Sequence, residues 1–168
     1  MKKTFLLAAL CFTMQPQVYA EDLHLPRSEA AQMLYDGLSE EKKESIFCEY
    51  NSFSDTDLTA DYNIAVSSLA NVGVFTGYRC GMFAPEREMT RAEFLATVMR
   101  LYDVPLEDAA DVYWDVNESD WYYGYVCAAN GLGLMYGVNS YWFKPNEPIT
   151  KSDAKNLVYK VKGGYNVR

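Results

Sequence analysis

Residues 77–94 read Gly77-Tyr78-Arg79-Cys80-Gly81-Met82-Phe83-Ala84-Pro85-Glu86-Arg87-Glu88-Met89-Thr90-Arg91-Ala92-Glu93-Phe94, and the stretch decides the fold because it returns further along the chain. Residues 61–102 align with 121–162 at a constant offset of 60, without a gap. Gly73 falls on Gly133, Gly77 on Gly137, Phe83 on Phe143, Pro85 on Pro145, Met89 on Ile149 and Thr90 on Thr150. Upstream, Phe53-Ser54-Asp55 falls on Tyr113-Trp114-Asp115. Glycines, a Phe-x-Pro and a helix-capping threonine held in one register are a specific signal, whereas matched apolar positions alone would be a weak one.

Each unit translates into a short helix, a loop and a second helix. Val66, Leu69 and Ala70 recur at helical spacing within Tyr62–Asn71, and Gly73 follows where a helix end takes a left-handed residue. Val74–Tyr78 predicts a brief extended turn, and Gly81–Pro85 a loop whose Phe83 plugs the core. Thr90-Arg91-Ala92-Glu93 is a capping box: hydroxyl and carboxylate each satisfy a free backbone N–H. Phe94, Leu95, Val98, Met99 and Tyr102 form the buried face of that helix, and Pro105 ends it. The second copy repeats the plan with helices over 121–130 and 150–161, and Asp153 in the place of Glu93. A partial copy precedes both. Pro26–Tyr35 resembles the second-helix segment, with Pro26 where Thr90 stands, and Ser39–Cys48 reads as an extra surface helix or linker.

Residues 1–20 have the form of a secretory signal peptide: Lys2 and Lys3, an apolar run over 4–12, and Val18-Tyr19-Ala20 as a small-residue cleavage site. The run is too short to span a bilayer, which takes roughly 20 residues, and no transmembrane segment is expected in the mature chain. The expected organisation is a signal peptide (1–20) and one domain (21–168), comprising a partial first unit with linker helix (21–50), a second unit (51–105) and a third (111–163). Loss of two lysines and no acids takes the formal charge from −8 to −10, a sign that repels nucleic acid phosphates. The same sign opposes an anionic wall polymer unless basic residues gather within the groove that binds it. Export permits disulfides, and Cys48, Cys80 and Cys127 are expected to give one pair and one leftover thiol, with the pairing open.

Gly77-Tyr78-x-x-Gly81-x-Phe83-x-Pro85 followed by Met89-Thr90-Arg91-Ala92-Glu93-Phe94 resembles the S-layer-homology motif. In the next copy Trp121, Gly133, Gly137, Phe143, Pro145, Pro148, Ile149 and Thr150 fit, while Val138, Tyr141, Lys151 and Asp153 depart. The resemblance implies a mainly α fold of helix-loop-helix units around a pseudo-threefold axis with short extended turns. It also implies inter-unit grooves for a secondary cell-wall polysaccharide, often one carrying a pyruvate ketal. Carried over position by position, the family's groove arginine falls to Arg91, Lys151 and Arg27, and its tryptophan to Trp121, with Gly77, Tyr78 and Gly137 beside them. Asp61 stands where the second copy should carry the tryptophan, which puts one groove in doubt.

An arginine fork pairs bidentately with a carboxylate, and an indole face packs on the apolar side of a sugar. Arg91, in the first turn of its helix, can equally be solvated, and Trp121 can equally be core. Asp55-x-Asp57-x-Thr59 and Asp115-x-Asn117-x-Ser119 begin like a calcium loop, but Ala60 and Asp120 replace its glycine and Val66 and Val126 its final glutamate. These oxygen side chains are expected to cap the short helices instead. The single histidine, His24, has no serine or cysteine motif around it, so nucleophilic catalysis is not expected. No cofactor or metal is expected either. Trp121-Tyr122-Tyr123-Gly124-Tyr125 and Tyr141-Trp142-Phe143 should leave some aromatics exposed, which suits a sugar surface or a protein interface.

The expectation is therefore a secreted, non-catalytic module of the bacterial cell wall or cell surface. The alternative is a structural subunit that uses the same scaffold on another envelope protein, favoured by the incomplete first unit and by an anchor without cargo. Loss of wall binding by Arg91→Ala at unchanged melting temperature would favour glycan recognition.

Overall fold

The computed structural model describes residues 23–106 and 113–164. The expected signal peptide and the first residues of the third unit lie outside them. Six α-helices follow in order among the described residues: α1 (Arg27–Asp36), α2 (Glu40–Ile46), α3 (Asn63–Asn71), α4 (Arg91–Leu101), α5 (Tyr123–Gly131) and α6 (Lys151–Gly164). The fold is mainly helical, and among the described residues extended pairing is confined to three isolated antiparallel bridges, His24 with Thr150, Pro26 with Glu88 and Thr90 with Pro148.

Those bridges mark how the units join. The N–H of Leu25 donates to the carbonyl of Ile149 at 3.2 Å, Ile149 to Met89 at 2.9 Å, and Met89 back to Leu25 at 2.9 Å. The three residues hold equivalent places, two before Arg27, Arg91 and Lys151, and all are fully buried. Each therefore satisfies a backbone donor that burial would otherwise leave costly, and the closed ring ties these three segments to one another. The relation continues outward: the N–H groups of Arg27, Arg91 and Lys151 donate to Arg87, Glu147 and Leu23 of the neighbouring segment.

The helices pack mainly across units. α1 lies on α3 and α4 on α5, so the second helix of one unit covers the first helix of the next. Phe83 and Phe143 are fully buried, as the loop pattern predicts, each against an aromatic of its own unit, Phe53 and Tyr113, with ring centroids 5.3 and 5.6 Å apart. The buried face expected for α4 is found at every one of its five positions. Its capping box is present: Thr90 Oγ1 accepts from Glu93 N at 3.2 Å, and Glu93 Oε2 accepts from Thr90 N at 3.0 Å. Ser39 caps α2, so the segment after the partial unit is a helix.

Two expectations are corrected. The short helices α3 and α5 carry no side-chain cap. They start at Asn63 and Tyr123, later than periodicity suggests, with Tyr62 and Tyr122 as N-cap residues of helical backbone angles. The oxygen side chains work elsewhere: Asp55 accepts from Phe83 N and Ala84 N, both at 2.7 Å, and Asp115 from Phe143 N at 2.9 Å and Lys144 N at 2.7 Å. Ala84 and Lys144, the middle residues of the two Phe-x-Pro runs, sit at φ 59° and 60°. Each aspartate thus holds a left-handed non-glycine backbone that is uncommon without support. The second correction concerns sulfur: no disulfide joins Cys48, Cys80 and Cys127. Cys127 is buried inside α5, Cys80 is exposed at positive φ on a loop, and the Cys48 thiol donates to the carbonyl of Tyr50 at 3.1 Å.

Candidate functional site

The helix starts that carry the expected cations all meet seams, and each cation crosses to another unit. Arg27, at the start of α1, donates from Nε to the carbonyl of Phe83 at 2.8 Å and from Nη2 to that of Thr76 at 3.2 Å. Its guanidinium lies 4.6 Å from the Tyr78 ring centroid and 4.8 Å from that of Phe83. Arg91, at the start of α4, repeats this one unit on: Nε to Phe143 O at 3.0 Å, Nη2 to Tyr136 O at 2.9 Å and Nη1 to Asp153 at 2.9 Å. Every acceptor on the main chain is shifted by 60 between the two sets. Both side chains are buried, 4% and 6% exposed, so neither is the solvated surface group that sequence left open. Burial, above all, pushes both guanidinium groups down from their ordinary value, and nearby Tyr78 and Glu93, or Asp153, push back. Both stay cationic.

Two grooves open over these arginines. The first, of about 300 Å3, has Arg27 and the Phe75–Tyr78 turn on one side, Glu93, Thr97 and Arg100 of α4 on the other, and Trp121 at its lip. The second, of about 540 Å3, is lined by Arg91, the Leu134–Val138 turn and Asp153, Asn156 and Lys160 of α6. The two grooves occupy equivalent places, with Arg100 replaced by Lys160, Glu93 by Asp153, Phe75 by Met135 and Tyr78 by Val138, and Trp121 lines only the first. Gly77 and Gly137 are glycines for want of space: an added Cβ would stand 2.9 Å from the carbonyl oxygen of Met82 in one unit and 2.4 Å from that of Trp142 in the other.

Local charge differs from the chain average. In the first groove Arg27 and Arg100 face one carboxylate, Glu93, which is itself held by Arg87 Nη1 at 2.9 and 3.0 Å. Tyr78 joins the same cluster, donating to Glu93 at 3.1 Å. In a chain of net charge −8, the first groove thus gathers two arginines beside one carboxylate that is already paired. Trp121 is 57% exposed, a lip residue rather than core.

Lys151 is placed differently. It reaches the third seam, pairs with Glu29 at 2.5 Å and lines neither groove. Lys162 also ties α6 to α1 there by donating to the carbonyl of Gly37. Sequence reasoning missed Arg100 and Lys160, though the offset of 60 aligns these two basic residues and supplied the signal.

Fold and grooves define a repeat-built module whose equivalent clefts lie at the seams between units. The chain belongs to the S-layer homology domain family, whose profile matches residues 52–95 and 113–155, just over half of the sequence. It is 29% identical over 110 residues to the middle cell wall protein of Brevibacillus brevis, an alignment covering 63% of this chain and 10% of that protein. It is 35% identical over 95 residues to the surface-layer 125 kDa protein of Lysinibacillus sphaericus (56% and 8%). With endo-1,4-beta-xylanase A of Thermoanaerobacterium saccharolyticum it shares 32% over 89 residues (53% and 8%). The matched region spans about a tenth of the length of these relatives. Family and relatives assign the chain to the cell wall or cell surface. Among the described residues no helix is long and apolar enough to cross a membrane.

Proposed function

We propose that residues 21–168 act, after removal of a signal peptide over 1–20, as a non-catalytic cell-envelope module. It attaches non-covalently to an acidic secondary cell-wall polysaccharide, such as one bearing a pyruvate ketal. The observation that carries this reading is the first groove: an exposed indole at the lip and two arginines inside, in a chain of net charge −8. Tyr78 and Trp121 supply faces for a sugar ring, and Arg27 with Arg100 supplies the charge for its carboxylate, with Gly77 keeping the turn close to the floor. The second groove offers the same chemistry through Arg91, Gly137 and Lys160 with less aromatic surface. Lys151 serves chiefly to close the third seam.

The test is recovery of the chain on purified wall sacculi with and without their secondary polymer. Retention only when the polymer is present supports the reading. Equal recovery from both, or none from either, defeats it. An envelope protein that co-purifies after the glycan is stripped would support the structural-subunit alternative instead.

A further inference from the structure

The third unit carries an aromatic cluster that the fold does not require. The Trp114 ring centroid lies 4.7 Å from that of Tyr141 and 5.9 Å from that of Trp142, the second pair edge to face. The three residues are 70%, 54% and 43% exposed. At the same register the second unit has Ser54, Gly81 and Met82. Yet both units make the same backbone bonds there: Trp114 N to Tyr141 O at 2.8 Å matches Ser54 N to Gly81 O at 2.9 Å, and Val138 N to Trp142 O matches Tyr78 N to Met82 O. The frame stands without the rings, so the rings are surplus to it.

We propose that Trp114, Tyr141 and Trp142 form a second carbohydrate subsite, a stacking platform for neutral pyranose rings of a wall glycan. Three observations select that ligand. The platform is preset, because Asn139 Oδ1 accepts from Tyr141 N at 2.9 Å and Trp142 N at 3.0 Å, so little ordering accompanies binding. It offers no charge for an acidic group: both oxygens of Asp115 are engaged by backbone N–H groups, and Lys144 pairs with Glu147 at 2.7 Å. It is also continuous with the second groove, since Gly137 and Val138 line that groove and abut the Trp142 backbone. Only this continuity rests on the groove reading above. Flat aromatic faces with polar edges pack on the apolar face of a sugar while its hydroxyls stay in water.

The test is a titration of the full chain with the β-1,4-linked tetramer of N-acetylglucosamine, followed by isothermal titration calorimetry. A Trp121→Phe background removes the indole of the first groove and leaves Trp114 and Trp142 in place. Saturable binding should persist in that background and in Arg100→Ala. It should weaken about tenfold or more in Trp114→Ser,Trp142→Met, with melting temperature unchanged. Should the double variant fail to fold, Trp114→Ser alone, at the most exposed ring, decides. No saturable signal, or undiminished affinity in the variant that folds, overturns the proposal. So does a change in sedimentation of the chain on losing the rings, which would mark a protein interface. Sacculus recovery of the parent chain reads the acidic groove separately, so either idea can fail while the other stands.

Discussion

Arg91 and Asp153 stand 2.9 Å apart across the seam between α4 and α6, whereas Arg27, the equivalent of Arg91, shares its seam with a glutamate that Arg87 already holds. The two grooves therefore share a floor and differ in electrostatics. In the first, Glu93 is neutralised from its own unit while Arg27 donates to the Phe83 and Thr76 carbonyls; in the second, Asp153 takes up part of the charge of Arg91.

Because Arg91 is buried and makes three hydrogen bonds, Arg91→Ala should destabilise the chain by about 2–4 kcal/mol, leaving the Phe143 and Tyr136 carbonyls without that donor. Urea denaturation measures this. A destabilised Arg91→Ala variant cannot separate glycan recognition from folding. Arg100→Ala is the informative variant for binding. Its side chain is exposed, so stability should change by no more than about 0.5 kcal/mol while sacculus recovery falls.

Gly137→Ala should cost more than Gly77→Ala. The added methyl of the first would lie 2.4 Å from a backbone oxygen and 2.5 Å from the Tyr113 ring, while the second meets the Phe53 ring at 2.6 Å and backbone only at 2.9 Å. Overpacking of this kind costs about 1–3 kcal/mol, and paired thermal melts should rank the two variants in that order.

Asp55→Ala and Asp115→Ala should each lose about 2–3 kcal/mol, since each removes a carboxylate that accepts two backbone N–H groups. Similar losses at positions 60 residues apart would show that both units use one loop lock. A loss at only one would show that the units differ in energy despite sharing geometry.

Asp57 is held below the usual carboxylate range by the Thr59 hydroxyl first and the Thr59 N–H second, and Asp120 chiefly by the Asn117 N–H. A depressed folded-state value stabilises the fold above the ordinary carboxylate pKa, and that contribution is lost as pH falls through the folded value. Melting temperature should therefore drop on acidification in this range, and Asp57→Asn with Asp120→Asn should flatten the drop.

Much of the local structure was legible because its causes are local. The helix period, the Thr90 capping box and the Phe83 plug depend on residues within one turn or one loop, and each was found as read. The caps of α3 and α5 were misread because an aspartate before a short helix has two uses, and only packing shows that Asp55 reaches 28 residues ahead to Phe83. Of the candidate site, the residue types at the helix starts and turns were legible, but which arginine meets which turn was hidden: Arg27 lines the Gly77 groove and Arg91 the Gly137 groove.

By itself the sequence determined the repeat, its register, the helices and the residue types at their starts, since periodicity, caps and tight glycines are short-range demands of the backbone. The tertiary structure alone decided that Leu25, Met89 and Ile149 close a hydrogen-bonded ring, that each helix start crosses to a neighbouring unit, and that Arg27 and Arg100 meet in one cleft. Those outcomes depend on which surfaces meet, and burial of polar groups between units admits only pairings in which every donor finds its acceptor.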